Sequence, residues 1–417
     1  MSSKGKSSAK TGGGAALVPK LRFPEFQDAP AWEPVSLRRA SVPVNERVGQ
    51  RKLTPVSISA GIGFVPQAEK FGRDISGNQY QLYTLVRDGD FVFNKGNSLK
   101  FPQGCIYLLE GWGQVAAPNV FIAFRLKNGY SNGFFQNCFE QNQHGKQLKK
   151  HITSGARSNG LLNISKETFF NVEIPAPSLP EQQKIADCLD SVDALIAAQG
   201  QKVKALRAHK KGLMQQLFPQ EGETQPRLRF PEFEEAGEWG VKPLGKVAEN
   251  LDNKRVPITS GARVVGKVPY YGASGIVDYV DGFLFDEDLL CISEDGANLL
   301  ARTYPIAFAI SGKAWVNNHA HVLRFKHGFT QKLVEVYLNS IKLDNFITGM
   351  AQPKLNKAKL DSIPIPLPKE PEQQRIADCL TSLEDLIAAE TRKLDTLKSH
   401  KRGLMQQLFP RVGEADA

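Results

Sequence analysis

Apolar residues recur at alternating steps of four and three along two stretches of this chain. In the first, Ile185, Leu189, Val192 and Ile196 lead on to Val203, Leu206, Leu213 and Leu217. In the second, Ile376, Leu380, Leu383 and Ile387 lead on to Leu394, Leu397, Leu404 and Leu408. That spacing holds one narrow stripe on one side of a helix, the seam of a coiled coil rather than the broad face of a globular helix. Polar residues interrupt it at Gln199 and Lys210, and at Glu390 and Lys401. Pro180 and Pro371 stand where a first helical turn tolerates proline, Glu181 and Glu372 lie near the positive end of the dipole, and Pro219 and Pro410 stop the pattern. The spacing predicts helices over 180–219 and 371–410, each a rod of roughly 54 Å.

The two stretches are copies of one another. At a constant offset of 191 they match at 26 of 40 positions. Farther upstream, Pro19-Lys-Leu-Arg-Phe-Pro-Glu-Phe with Trp32 returns as Pro226-Arg-Leu-Arg-Phe-Pro-Glu-Phe with Trp239, at an offset of 207. The chain is a tandem duplication whose ends are kept and whose middles differ. Each middle reads as mixed β. Strands are expected at 81–86, 90–93 and 120–126, then at 268–271, 282–285, 289–292 and 321–325, with one helix at 331–340. Ile174-Pro-Ala-Pro and Ile365-Pro-Leu-Pro read as extended connectors into the helices. The expected fold is α+β: two globules in tandem, each followed by a long helix, the helices pairing as an antiparallel coiled coil with pseudo-twofold symmetry. The competing expectation is that each helix packs on its own globule.

Composition narrows the function. A net charge of +10 with a pI near 9.2 favours a polyanionic partner. No apolar run approaches the ~20 residues of a bilayer span, and the Gly/Ser/Lys-rich start lacks a secretory leader's apolar stretch. The five scattered cysteines contain no CxxC pair and suit a reducing compartment. A cytoplasmic location without membrane contact is expected. No glycine fingerprint for a methyl donor and no phosphate loop is present, so the chain itself is expected to be non-catalytic and to bind no cofactor or metal.

Ile-Pro-x-Pro, then Pro-Glu-Gln-Gln-(Lys/Arg)-Ile-Ala-Asp-x-Leu, the heptad helix and Lys-(Lys/Arg)-Gly-Leu-Met-Gln-Gln-Leu-Phe-Pro together resemble the specificity subunit of type I restriction–modification enzymes. The second middle is similar to one sort of target recognition domain there, through Pro269-Tyr-Tyr-Gly-Ala-Ser-Gly-Ile-Val-Asp-Tyr-Val and Ser311-Gly-Lys-Ala-Trp-Val-Asn-Asn-His-Ala-His-Val. The Gly/Ser/Lys-rich residues 1–18 read as a disordered basic tail; with the resemblance, the expected division is target recognition domains at 19–179 and 220–370, conserved helices at 180–219 and 371–410, and a tail at 411–417. The resemblance implies double-stranded DNA as ligand, read as two half-sites that the helices hold apart. Two methyltransferase subunits using S-adenosylmethionine would be partners, with two restriction–translocase subunits using ATP and Mg²⁺ as optional further ones. Helix positions Ile185, Leu189, Val192, Ile196, Leu206, Leu213, Ile376, Leu380, Leu383, Ile387, Leu397 and Leu404 would serve pairing and docking. The alternative is a coiled-coil scaffold with incidental DNA affinity.

Base reading needs polar side chains on loops that reach a groove. In the second half the candidates are Ser274, Asn298, Lys313, Asn317, Asn318, His319, His321, Gln352 and Lys354. In the first half they are Lys95, Asn97 and Lys100 in a Gly/Asn loop, with Arg157 and Asn159. The loops at 157–159 and 352–354 both run into Leu-Asn pairs, Leu162-Asn163 and Leu355-Asn356, which predicts that they lie on the same side of each globule.

Overall fold

The computed structural model describes residues 17–96, 101–152, 162–220, 223–349 and 352–410. The chain divides into two compact units, Met1–Ala198 with Leu394–Ala417 and Gln199–Lys393. Each unit joins a globule to the opening turns of the long helix that follows it and to the closing turns of the other long helix.

Among the described residues, unit 1 carries β1 (Glu33–Ser36), β2 (Ser41–Pro43), β3 (Thr54–Ser59), β4 (Gly63–Pro66), β5 (Thr84–Arg87), β6 (Asp90–Asn94), β7 (Cys105–Leu108), β8 (Gln114–Ala117), β9 (Ile122–Leu126) and β10 (Glu173–Ala176). They form a β1-β10 pair and two four-stranded sheets, ordered β2-β9-β6-β7 and β4-β3-β8-β5. Only the β3–β8 pairing is parallel among those described. Unit 2 carries β11 (Gly240–Pro243), β12 (Glu249–Asn250), β13 (Val265–Gly272), β14 (Gly275–Val280), β15 (Phe285–Asp286), β16 (Leu289–Ser293), β17 (Ala307–Ile310), β18 (Lys313–Val316), β19 (Ala320–Arg324) and β20 (Pro364–Leu367). Its orders are β11-β20, β12-β19-β16-β17 and β14-β13-β18-β15, with β13–β18 parallel. The two middles that differ in sequence therefore share one topology, strand for strand.

Three local expectations change. The 81–86 segment enters from a 3-10 helix over Gly77–Leu82 and becomes strand only from Thr84. The 282–285 segment reduces to the two-residue β15. The Ile-Pro-x-Pro connectors are themselves strands, β10 and β20, in two-stranded ladders. There a proline without an N–H can sit on an open edge.

The cores differ in kind. Unit 1 is aromatic: Phe91 stacks on Phe124 at 5.3 Å and Phe93 on Phe169 at 4.6 Å, with Phe134, Phe135 and Phe139 from the helix Asn132–Glu140 packed around them. Unit 2 is aliphatic, packing Leu290, Ile292 and Leu323 against Val334 and Leu338 of the helix Gly328–Ser340.

The long helices run Leu179–Leu217 and Glu370–Leu408, 39 residues each. Both expectations for their packing hold together. In unit 1, Ile185 and Leu189 join the core of their own globule and also meet Leu404, Met405, Leu408 and Phe409. In unit 2, Ile376 and Leu380 pack with Leu333 and Val336 and meet Leu213, Met214, Leu217 and Phe218. Within each unit the start of one helix lies against the end of the other, so the pairing is antiparallel. The polar interruptions of the seam meet acids across it. Lys401 reaches Asp193 at 2.7 Å in unit 1, and Lys210 reaches Glu384 at 2.7 Å in unit 2. The Gln199 amide donates to the Glu390 carboxylate at 2.6 Å. Polar seam positions of this kind fix register at some cost in stability.

The upstream repeat clamps these helix ends. Arg22 grips Glu181 through two hydrogen bonds of 2.7 Å, and the Trp32 indole donates to the same carboxylate at 3.2 Å. The Leu21 amide donates to the Gln407 carbonyl, and Phe409 packs edge-on to Trp32. In unit 2, Arg229 and Trp239 hold Glu372 at 2.7, 2.7 and 3.3 Å, the Leu228 amide donates to Gln216, and Phe218 packs on Trp239. Both ends of each half are kept because they touch.

Candidate nucleic-acid interface

In each unit the strand that ends at the centre of its sheet places a short polar residue at its tip. Asn94 closes β6 and is buried. Its amide donates to the Ile58 carbonyl at 2.7 Å, and its oxygen accepts from the Gly96 amide at 2.7 Å. Ser293 closes β16, also buried, and its hydroxyl donates to the Ala273 carbonyl. Asn94 ties the end of β3, just before the 60–62 turn, to the centre of its domain, and Ser293 ties the 273–274 turn to the centre of the other. Gly104 lets the chain pass over the tip of β6: its φ is +81°, and a Cβ there would meet the Asn94 carbonyl at 2.5 Å.

The residue that follows each tip accepts a hydrogen bond from the leucine of the Leu-Asn pair. The Leu162 amide donates to the Lys95 carbonyl at 2.9 Å, and the Leu355 amide to the Glu294 carbonyl at 2.8 Å. In unit 2 this places the 352–354 loop beside the tip of β16; the 157–159 loop of unit 1 lies outside the described residues. A third loop joins them in unit 2, where the Glu294 amide donates to the His319 carbonyl and the Gly296 amide to the Pro353 carbonyl. The result is a rim built from 273–274, 294–296, 317–319 and 352–355.

Ser274, Asn318, His319, Gln352 and Lys354 all stand exposed on this rim. The His319 imidazole lies 2.8 Å from Asp295, and the Lys354 ammonium lies 3.3 Å from Glu294. Four other candidates have different roles. His321 is buried, with Nδ1 2.6 Å from Asp252 and Nε2 2.7 Å from the Leu355 carbonyl, so it braces the rim from beneath and has no ring nitrogen left for DNA. Asn317 is buried and accepts from the His319 amide at 2.8 Å, which shapes the turn. Asn298 exchanges two hydrogen bonds of 3.0 Å with the Tyr304 backbone and closes a local loop. Lys313 begins β18, at the end away from the 317–319 turn, with its ammonium 4.7 Å over the Phe283 ring. In unit 1, Lys95 follows the tip of β6 as Glu294 follows that of β16; Asn97, Lys100, Arg157 and Asn159 lie outside the described residues.

Beneath the unit 2 rim is an ionic network that the sequence did not disclose. Arg255 pairs with Glu294 at 2.7 Å and with Asp252 at 3.4 Å, and donates to the Ala320 carbonyl at 2.8 Å. Burial pushes the Asp252 carboxyl up, but the His321 hydrogen bond and charge, the Val322 amide and Arg255 outweigh it and hold the group below its ordinary value. Donor atoms of Asp252, Glu294 and His321 lie within 4.8 Å of one another, a spacing a metal ion could use. The Arg255 guanidinium already supplies the positive charge there. Among the described residues, no helix is long and apolar enough to cross a membrane.

The model of the type I restriction modification DNA specificity domain matches this chain twice, over residues 83–208 and 236–399, together well over half its length. The chain is 42% identical over 149 residues to a putative type I restriction enzyme specificity subunit of Haemophilus influenzae. That match covers 35% of this chain and 38% of the relative, so it spans well under half of the relative's length. It is 26% identical over 292 residues to the type I restriction enzyme MjaVIII specificity subunit of Methanocaldococcus jannaschii, covering 63% of this chain and 67% of the relative. In fold it is similar to the type I restriction–modification S subunit from M. genitalium, with a TM-score of 0.58 at 14% identity, covering 95% of this chain and all of that one. A chain from a type I restriction–modification system solved for its assembly and conformational transition gives a TM-score of 0.55 at 17% identity, over 91% of this chain and 98% of that one. The duplicated frame, the shared strand order and both family-model matches lead to one conclusion: this chain belongs to the type I restriction–modification specificity subunits and carries two specificity domains in tandem.

Proposed function

We propose that the chain reads a two-part duplex DNA site, one half with the rim of each unit, while the long helices set the distance between the halves and dock two methyltransferase subunits. The observation that carries this reading is that the two units share one strand order and join the tip of the central strand to the Leu-Asn pair in the same way, yet differ in the side chains around it. A duplicated scaffold with unlike rims fits two unlike half-sites. The net charge of +10 supplies the sequence-independent attraction to phosphates. Ser274, Asn318, His319, Gln352 and Lys354 would contact the DNA of one half, and the loops that follow β6 and precede Leu162 the other.

The chain does no chemistry in this reading. S-adenosylmethionine, ATP and Mg²⁺ belong to the methyltransferase and restriction partners. Methylation mapping in cells carrying this gene beside its methyltransferase tests it, and the expected result is two short half-sites separated by a spacer of about 5–8 base pairs. Lengthening both helices by one heptad, ~10 Å, should change the spacer by about three base pairs. A single uninterrupted site, or a spacer indifferent to helix length, defeats the proposal.

A further inference from the structure

Unit 1 has a small polar pocket beside its rim that none of the candidate residues lines. Its volume is about 110 Å³, and Asn45, Arg47, Thr84, Asn119, Phe121 and Lys166 are among its walls. Asn119 and Phe121 come from the β8–β9 loop. By strand register this loop corresponds to the 317–319 turn of unit 2, because Phe93 pairs with Ile122 where Ile292 pairs with His321. Lys166 opens the short helix Lys166–Phe170 that follows the loop before Leu162. The pocket therefore opens at the unit 1 counterpart of the 317–319 turn of the unit 2 rim.

Its charge is unbalanced. The lining contains two cations and no carboxylate. Glu46, next to Arg47, is taken by Arg51 at 3.0 Å and Arg87 at 2.7 Å. Arg47 donates through one nitrogen to the Leu82 carbonyl at 2.9 Å, which orients the guanidinium, and the Lys166 ammonium rests 3.1 Å from the Asn45 amide oxygen. Neither cation forms an ion pair among the described residues. Two cations with side-chain amides around a small cavity match the charge and donors of a phosphate group.

Unit 2 lacks this arrangement. The Val44 amide donates to Ala123 as the Leu251 amide does to Val322, so Asp252 stands where Asn45 stands. A carboxylate occupies the place, bound to His321 and Arg255.

We propose that the Asn45–Arg47–Asn119–Lys166 pocket is a phosphodiester subsite that grips the DNA backbone at the half-site read by unit 1. This rests on the DNA-reading function proposed above. The test uses the full chain assembled with its methyltransferase partner and a duplex carrying the mapped site, with binding followed by fluorescence anisotropy from 50 to 200 mM KCl. Arg47→Gln and Lys166→Gln should each lower the slope of log affinity against log salt by about 1. They should weaken the mapped and a scrambled duplex by the same factor and leave the methylated sequence unchanged. Lys254→Gln, at the place in unit 2 that corresponds to Arg47, should leave the slope as it is.

Unchanged slopes in the Arg47 and Lys166 variants overturn the subsite, as does a changed methylation sequence, which would make these residues base readers. An equal effect of Lys254→Gln reduces the pocket to general surface charge. If the variants lose affinity for inorganic phosphate at fixed ionic strength while the DNA slope stays, the pocket serves a free anion and the proposal falls. Absence of selective, salt-dependent binding by the unaltered assembly defeats the DNA-reading function itself, a result distinct from all of these.

Discussion

The two units solve one construction problem with different chemistry. In the strand that returns from the 317–319 turn, unit 2 buries His321 and surrounds it with Asp252, Arg255 and Glu294. Unit 1 places Ile122 at the same register position and leaves Asn45 to hold Lys166. Beneath the rims, unit 1 packs stacked phenylalanines where unit 2 packs leucine, isoleucine and valine. The clamps at the helix ends show none of this divergence: Arg22–Glu181–Trp32 and Arg229–Glu372–Trp239 match atom for atom to within about 0.1 Å in the distances given above. The parts that join the units to the helices are held fixed, and the parts that support the rims vary. Separate selection on joint and rim explains that pattern, and altering equivalent residues in the two units can test it.

The largest effect is expected at the clamps. Glu181 and Glu372 are buried, so removing the arginine strands a carboxylate without its partner. Arg22→Met and Arg229→Met should each cost about 3–5 kcal/mol, confined by hydrogen exchange to unit 1 and unit 2 respectively. Adding Glu181→Leu or Glu372→Leu should recover most of the loss, because no uncompensated charge then remains. A clearly smaller cost in one unit would show that the joints are not equivalent.

Acid should separate the units next. His144 is fully buried in unit 1, with its ring edge-on to Phe93 and Phe139. Burial pushes it down to about 4, the Gly104 backbone opposing. An unfolded histidine titrates near ~6.5, so the unfolded state takes up a proton that the folded state refuses. This contribution to unit 1 is fully present above about pH 6.5 and falls as the pH drops toward 4, by up to about 3 kcal/mol. Asp252 in unit 2 is depressed instead, so its contribution persists until the pH falls below the ordinary carboxylate range near ~3.9. Between pH 6.5 and 4, exchange in unit 1 should rise first, and His144→Phe should remove that difference. A variant in which unit 1 still opens first as the pH falls would assign the difference to other groups.

Much of the frame was legible in the sequence because duplication displays it twice. The heptad stripe gave the helices to within two residues, and the polar interruptions at Gln199, Lys210, Glu390 and Lys401 turned out to be the places where the helices exchange polar contacts. The repeated Leu-Arg-Phe-Pro-Glu-Phe was visible too, but not its reason, because the bond from Arg22 to Glu181 joins residues 159 apart in sequence. The rim was legible as a set of loops and not as a set of exposed groups. Asn317 and His321 flank Asn318 and His319 and share their chemistry. Only the turn geometry sends the first pair inward, onto the His319 amide, Asp252 and Leu355, and the second pair outward. Arg47, Asn119 and Lys166 lie far apart in sequence and converge only through the sheet order.

A moderate effect is expected at the contrasting brace. His321→Leu removes the donor to the Leu355 carbonyl and one partner of Asp252, which keeps the Val322 amide and Arg255. The expected cost is about 1–3 kcal/mol. Faster hydrogen exchange should concentrate at 294–296 and 317–321, with the unit 1 rim unaffected. Exchange spread over the whole of unit 2 would make His321 a core residue rather than a brace of the rim.

The smallest effect separates the seams of the two units. In unit 1, Asp193 is half exposed and, among the described residues, pairs with Lys401 alone, and that lysine also has Glu140 at 3.5 Å. In unit 2, Glu384 is more buried and holds two lysines, Lys210 and Lys332, each at 2.7 Å. Asp193→Asn should therefore cost no more than about 0.5 kcal/mol, the ordinary worth of a partly exposed pair. Glu384→Gln should cost about 1 kcal/mol or somewhat more, because Lys210 loses its acid and Lys332 keeps only Glu335. Double-mutant cycles with Lys401→Met and Lys210→Met separate the pair energies from changes in packing. A larger coupling in unit 2 would mean that the antiparallel register is fixed mainly from that side. Equal couplings would return the duty to the shared contact of Gln199 with Glu390, which stands at the same position in both copies of the helix.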